Sequence, residues 1–173
     1  RSSNSEILVV SDEASCAYTT YSQWSNPLLY FSLYEPQIQL VKIGTPVDHI
    51  LADDLGLINA SRYKMIVFLN CWNLTDTQRT LVDSLKNNGR VLMFCYAPGY
   101  FNGRDFSTGN MKNLTGITMA VDGSETFYMP RVSVTADHNL GQRLRNANVY
   151  SFGVDSSICK RIWVNDSNTT KLG

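Results

Sequence analysis

The sequence predicts an α/β fold in which a mainly parallel sheet carries helices on both faces. Three runs of consecutive apolar residues, at positions 7–10, 65–69 and 91–96, are typical of strands that are buried on both sides. The segment between the second and third runs has apolar residues at helical spacing. A helix between two buried strands forms a β-α-β unit, which joins parallel strands.

The segment after the first strand predicts two helices. Asn26 suits the cap of the first helix, and Pro27 fits its first turn, where a backbone N–H has no helical partner. Pro36 interrupts the apolar pattern and is expected to start a second short helix, which runs to Ile43. Gly44 then suits the left-handed position that ends many helices.

A short second strand is predicted at residues 47–51, and the best-defined helix follows the third strand. Thr75 and Gln78 have the spacing of a capping box, in which each side chain accepts a hydrogen bond from the other residue's backbone N–H. Apolar residues at helical spacing follow, and Gly89 indicates the end of this helix.

The last third of the chain has a weaker pattern. Residues 110–114 predict a short helix, and four further stretches predict short strands in a more irregular and antiparallel arrangement. These stretches are residues 117–121, 132–135, 149–152 and 161–164. The length of 173 residues fits one domain, which we expect to be a piece of a longer protein and to lack part of its natural C-terminal end.

The composition argues against several classes of function. Lys and Arg number 15 and Asp and Glu number 15, so the formal net charge is zero, whereas nucleic-acid and anionic-membrane binders carry an excess of positive charge. No apolar run reaches the roughly 20 residues of a membrane-spanning helix. The sequence has no glycine-rich phosphate loop and no cysteine pair with metal-ligand spacing, so we expect no cofactor and no metal.

Ligands of open α/β sheets usually bind at the carboxyl ends of the strands. This rule selects the loops that follow the three apolar runs, which would all lie at one edge of a parallel sheet. The candidate interface or ligand residues in these loops are Asp12, Glu13, Ser15, Asn70, Trp72, Tyr96, Pro98, Gly99 and Tyr100. The aromatic residues in or next to these loops suit core packing, burial in a protein interface or stacking on a sugar ring. They are Tyr18, Tyr21, Trp24, Trp72, Tyr96, Tyr100 and Phe101.

Adjacent carboxylates occur at two places in the sequence. Asp12 and Glu13 could act as a general acid and base, but side chains of adjacent residues leaving a strand tend to point apart, which favours helix capping or loop hydrogen bonding. Asp53 and Asp54 are expected to cap the helical turn that follows them.

The four cysteines stand at positions 16, 71, 95 and 159 and are expected to be buried free thiols. Cys95 at the end of a strand is a candidate nucleophile, with His49 or His138 as the base. A nucleophile on a sharp strand-to-helix turn usually has glycines beside it, and here the neighbours are Phe94 and Tyr96. This pattern favours a structural thiol over a catalytic one.

Several segments resemble a known family. SDEAS after the first strand, IGTPVDHILADDL, RYKMIVFLNCWNLTDTQRTLVDSLKNNGRVLMFCYAPGYF and NLTGI are similar to the class I glutamine-amidotransferase-like domain of β-galactosidase-type glycoside hydrolases. This domain is also called the β-galactosidase trimerisation domain. The resemblance covers roughly residues 6–117, and its most specific parts are Tyr63 and Lys64 before the strand, residues 74–79 and residues 96–100.

The resemblance implies a flavodoxin-like three-layer fold that has lost amidotransferase catalysis. In the family, the domain follows a (β/α)-barrel with the catalytic carboxylates, and it helps to assemble the oligomer. The resemblance therefore implies an accessory or oligomerisation domain of a bacterial carbohydrate-active enzyme, with the catalytic barrel and sister subunits as partners. A secreted or periplasmic location is expected because enzymes that degrade polysaccharides are usually exported.

Two alternatives from other classes stay open at this point. One is a small cysteine hydrolase of the same fold that uses Cys95, with His138 or Glu13 as further catalytic candidates. The other is a stand-alone module that binds an oligosaccharide through Trp24, Trp72 and Tyr100.

Overall fold

The computed structural model describes residues 3–18, 27–87, 89–122, 131–132, 139, 150–151 and 161–171. The chain forms two compact units, Arg1–Gly116 and Ile117–Gly173. Within the described residues, no helix combines the length and the apolar character that crossing a bilayer requires.

The first unit is built on a parallel sheet of four strands in the order β2-β1-β3-β4. These strands are β1 (Ile7–Ser11), β2 (Val47–Leu51), β3 (Met65–Phe68) and β4 (Val91–Phe94). Both neighbours of β1 run parallel to it, and β4 runs parallel to β3. The predicted parallel sheet is confirmed, and helices on both faces give it the three layers of a flavodoxin-like fold.

One face of the sheet is covered by α4 (Asp76–Leu85), α5 (Thr108–Thr115) and a 3₁₀ helix (Ala52–Leu57). Leu8 and Val10 of β1 and Ile66 and Phe68 of β3 point to this side, where they pack against side chains of these helices. Thr75 caps α4 in the predicted capping box. The helix itself ends at Leu85, before the Gly89 that indicated its end.

The other face is covered by a helical segment that contains the first difference from the sequence prediction. The predicted second helix is confirmed as α3 (Glu35–Lys42), which has Pro36 in its first turn. It is not separated from the first helix, because α2 (Pro27–Leu29), a π-helical turn (Tyr30–Tyr34) and α3 follow each other without a break. Pro36 lies in the first turn of α3, and the Glu35 N–H donates to the Tyr30 carbonyl. The wider π turn accommodates a residue that has no N–H and whose ring crowds the preceding turn.

β4 also differs from the prediction, because it ends at Phe94 and is not buried on both faces. It forms an edge of the four-stranded sheet, and the side chains of Val91 and Met93 are exposed. Helical packing on that face reaches Val9, Val67 and Leu69 of the sheet but leaves the outer strand open. A run of apolar residues reports β structure, but it does not distinguish a central strand from an edge strand.

The capping predicted for Asp53 and Asp54 is wrong. Both residues lie inside the first turn of the 3₁₀ helix, and its cap residue Leu51 makes no side-chain capping bond. The Asp53 carboxylate instead accepts a hydrogen bond of 2.9 Å from the Gln78 amide, which ties the 3₁₀ helix to the start of α4.

The second unit contains two short antiparallel pairs in its described residues. β5 (Met119–Asp122) pairs with β8 (Arg161–Val164), and β6 (Arg131–Val132) pairs with β7 (Tyr150–Ser151). The predicted antiparallel character is confirmed for these pairs. Residues 133–135, 149 and 152 of the predicted strands lie outside the described residues.

Candidate functional site

The predicted meeting of three loops at one edge of the sheet is confirmed. Val10 of β1 lies in register with Phe68 of β3, and Phe68 lies in register with Phe94 of β4. The residues that leave these strands therefore lie side by side. We call this region, formed by residues 11–18, 69–74 and 95–107, the exit edge.

The first loop of the exit edge is organised by Asp12. Asp12 caps α1 (Glu13–Cys16), and its carboxylate oxygen Oδ2 accepts a hydrogen bond of 2.7 Å from the Ser15 N–H and another from the Ser15 hydroxyl. Burial raises the pKa of the Asp12 carboxyl, although the bonds from Ser15 act in the opposite direction. The predicted capping role of Asp12 is confirmed.

Ser15 and Asn70 connect the first loop to the second. The Asn70 side chain accepts a bond of 2.9 Å from the Asp12 N–H and donates one of 2.7 Å to the Asp12 carbonyl, so it pairs with that backbone as a neighbouring strand would. The Ser15 hydroxyl oxygen accepts the N–H groups of Trp72 and Asn73 at 3.0 and 2.8 Å. Both side chains are completely buried, so their polar groups serve to join the two loops.

The third loop is bonded to the second through the backbone. The Gly99 N–H donates to the Cys71 carbonyl at 2.8 Å, and the Phe101 N–H donates to the Trp72 carbonyl at 2.9 Å. Between β4 and these bonds, Tyr96 and Ala97 have φ angles of 28° and 50°. This left-handed region is unfavourable for residues with a side chain, so the surrounding bonds hold a sharp turn in place.

Arg79 of α4 stabilises the exit edge through hydrogen bonds to its backbone carbonyls. Its guanidinium donates to four backbone carbonyls, those of Leu74 and Asn110 at 3.0 Å each, Gly99 at 2.7 Å and Phe101 at 3.1 Å. Five N–H groups in a planar fork allow one arginine to satisfy carbonyls from several segments.

Most residues predicted for an interface or ligand edge are buried. Asp12, Ser15, Asn70, Trp72, Pro98 and Gly99 are buried, Tyr96 and Tyr100 are partly buried, and Glu13 is exposed. The Trp72 ring is only 7% exposed, and its indole N–H has no hydrogen-bond partner in the part of the chain that the structure describes. Trp24 and His138 lie outside the described residues.

The thiols of the first unit are protonated at neutral pH. Burial raises the pKa of Cys95 and raises that of Cys71 strongly; burial and the nearby Asp12 carboxylate raise that of Cys16. The His49 imidazole lies 3.0 Å from the Ser11 hydroxyl, and partial burial lowers its pKa. Among the described residues, no hydrogen bond joins the Cys95 sulfur to an imidazole.

A cluster of aromatic residues reaches the surface of the exit edge. The Phe101 ring lies 4.5 Å, centroid to centroid, from both Tyr18 and Phe106, and Tyr100 lies 5.6 Å from Phe106. Tyr18 is 52% exposed and Phe106 is 56% exposed. We call Tyr18, Tyr100, Phe101 and Phe106 the aromatic patch.

Phe106 is the residue of this patch that the sequence interpretation missed. The chain turns at residues 102–104, where the Asn102 side chain accepts the N–H groups of Arg104 and Asp105 at 2.9 and 3.0 Å. It folds the chain back so that Phe101 and Phe106 form an antiparallel bridge. A tight turn between two phenylalanines was the signal available in the sequence.

The carboxyl of Asp12 leads to a prediction about stability and pH. Because its pKa is raised in the folded state, its ionised form lowers stability, and this cost appears as the pH rises from the ordinary value of 3.8 towards the folded value. We expect Asp12→Asn, which keeps one oxygen for both bonds from Ser15, to raise the melting temperature at pH 7. The gain should shrink towards pH 4; an equal gain at both pH values would contradict a charge effect.

The architecture and the exit edge define a flavodoxin-like α/β protein. No family model matches the chain, and no curated protein matches it either. Among solved structures, the chain is similar to the β-galactosidase from Bifidobacterium adolescentis, with a TM-score of 0.49 and 13% sequence identity. The alignment covers 78% of this chain and 65% of that chain, so this chain spans less than two thirds of that chain's length.

Proposed function

We propose that this protein is a non-catalytic accessory domain of a carbohydrate-active glycoside hydrolase. It packs through the aromatic patch against the catalytic barrel of the parent protein or against sister subunits. The sequence resemblance of residues 6–117 suggested this class, and two features of the exit edge support the role.

The first feature is the use of the polar groups. The side chains of Ser15 and Asn70 are buried and form hydrogen bonds with the neighbouring loops. The Asp12 carboxylate caps α1. A nucleophile or general base needs a free lone pair directed at a substrate. Because these groups are committed to structural bonds, they favour a structural role for the exit edge over hydrolysis.

The second feature, which carries the proposal, is the exposed aromatic patch. Tyr18 and Phe106 each present about half of their surface to solvent, and both rings pack against the buried ring of Phe101. Aromatic side chains dominate the centres of protein interfaces, because they bury a large area and lose little conformational entropy. The Asn102 turn and Arg79 hold the patch in place before a partner arrives, which lowers the entropic cost of binding.

The test is binding between this chain and the catalytic barrel encoded in the same gene, measured by calorimetry. We expect Phe106→Ser and Tyr18→Ser each to weaken binding about tenfold or more, as loss of a central aromatic contact does. Leu57→Ser is the matched control, because Leu57 is 83% exposed in the 3₁₀ helix that follows β2, outside the exit edge.

Three outcomes would contradict the proposal. They are a gene that encodes no barrel, binding that neither substitution weakens, and hydrolytic activity of this chain by itself. If the chain alone binds oligosaccharides and Phe106→Ser abolishes that binding, the partner of the patch is a sugar and not a protein.

A further inference from the structure

The helical segment on the other face of the sheet has an exposed apolar stripe. Its inner side is partly buried, because Leu33 and Leu40 pack against the cluster formed by Val9, Val67 and Leu69. On its outer side, Tyr34, Ile38 and Val41 are exposed by 50%, 49% and 80%. Their spacing of four and three residues places them along one line of the helix. We call these three residues the helix stripe.

Two residues of opposite charge lie on the same helix, beside the helix stripe. Glu35 lies three residues before Ile38 and Lys42 lies four residues after it, so both are on the same flank of Ile38. Tyr34 and Val41 lie on the opposite flank of Ile38. Glu35 and Lys42 are seven residues apart, about two turns or roughly 10 Å, which is too far for an ion pair within the helix. Lys42 forms no ion pair with any residue that the structure describes.

We propose that the helix stripe binds the same stripe of a second copy of this chain, with the two helices antiparallel about a two-fold axis at Ile38. Such an axis brings each flank against the same flank of the other copy. Glu35 then meets Lys42 of the second copy, and Lys42 meets its Glu35. On the other flank, Tyr34 meets Val41 in the same way, so the charged and apolar contacts both form twice.

The charge pattern favours this occupant over others. A parallel pairing about a two-fold axis along the helices would bring each flank against the opposite flank of the second copy. Glu35 would then face Tyr34 and Lys42 would face Val41, so neither charge would have an opposite charge beside it. A lipid surface is bound by apolar stripes with an excess of Lys and Arg beside them, whereas this flank carries one acid and one base. The surface offered is small, because stable interfaces bury roughly 1,200 Å² or more in total. The dimer is therefore weak, and it is a contact separate from the aromatic patch of the proposed function.

The test uses sedimentation of the full chain over a range of concentrations. The wild type should dimerise reversibly, and Ile38→Lys should make it monomeric at every concentration measured. Glu35→Lys and Lys42→Glu should each weaken the dimer by about tenfold or more, because each converts two attractive pairs into two repulsive ones. Leu57→Lys, at an exposed apolar residue outside the stripe, should leave the dimer unchanged.

The decisive step is to mix the two charge variants. In the mixture, the lysine introduced by Glu35→Lys in one variant meets the glutamate introduced by Lys42→Glu in the other, and the native Lys42 and Glu35 form the second pair. An equimolar mixture should therefore form a heterodimer that neither variant forms by itself, and the double substitution Glu35→Lys with Lys42→Glu should restore the homodimer. Mixing cannot repair a helix damaged by substitution, so this result separates the interface from an effect on folding.

A wild type that stays monomeric up to millimolar concentration would overturn the proposal. So would charge variants that dimerise as well as the wild type, or a mixture that gives no heterodimer. If Phe106→Ser made the chain monomeric and Ile38→Lys did not, copies of the chain would meet at the exit edge and not at the helix stripe.

Discussion

Gly99→Ala is expected to destabilise the first unit by about 3 kcal/mol. Gly99 has a φ angle of +61°, which costs a residue with a side chain about 1 kcal/mol. A Cβ atom there would lie 2.7 Å from Leu114 Cδ2 and 3.0 Å from Arg79 Nη2. The new methyl group would therefore push apart α5 and the guanidinium that holds the exit edge.

Urea unfolding of the full chain measures this effect, and Gly89→Ala is the matched control. Gly89 has a similar φ angle of +66°, but no atom lies within 4 Å of the position of its Cβ. The control should lose only about 1 kcal/mol, which is the cost of the backbone conformation. Equal losses for the two variants would show that the close contact at Gly99 costs nothing.

Arg79→Met is expected to lower the free energy of unfolding by about 3 kcal/mol, because it leaves the carbonyls of Leu74, Gly99, Phe101 and Asn110 without their charged donor. Methionine keeps most of the apolar length of the side chain, so the loss reports mainly on hydrogen bonding. Arg79→Lys should recover only a small part, since one ammonium cannot reach four carbonyls in the geometry of the planar fork.

Arg62→Met is the control for the arginine prediction. Arg62 is exposed and donates to the partly buried Asp48 carboxylate, the Ser3 carbonyl and the Tyr63 hydroxyl. An ion pair at the surface typically contributes less than about 1 kcal/mol, so this variant should lose much less than Arg79→Met. Chemical unfolding should separate the two variants clearly. If Arg79→Met were no more destabilising than Arg62→Met, the four carbonyls would be satisfied by water without cost.

The strands and the best helix could be predicted because local sequence determines them. The runs at 7–10 and 65–69 belong to strands with neighbours on both sides, and the Thr75 capping box is complete within four residues. The errors have a different origin. The π turn before Pro36 and the open face of β4 depend on how the segments pack, and a short window of sequence does not contain that information.

The sequence predicted where the candidate site lies, but not which of its side chains are exposed. Parallel strands bring their exits to one edge, so the three loops followed from the fold. Which side chains would be buried there depended on bonds such as those from Ser15 to Trp72 and from Asn70 to Asp12, which join residues far apart in the sequence. Phe106 lies in a segment with no regular pattern, and only the turn beside it pointed to its position.

The bonds across the exit edge have a consequence for the order of folding. The bond between Ser15 and Trp72 spans 57 positions of the chain, and the bonds between Asn70 and Asp12 span 58. Contacts at such separations form only after a long loop has closed, and they are therefore late and slow. The exit edge becomes ordered when β1, β3 and β4 are already aligned. A nascent chain that has not yet added β4 therefore lacks the third loop of the exit edge, which contributes Tyr100, Phe101 and Phe106 to the aromatic patch.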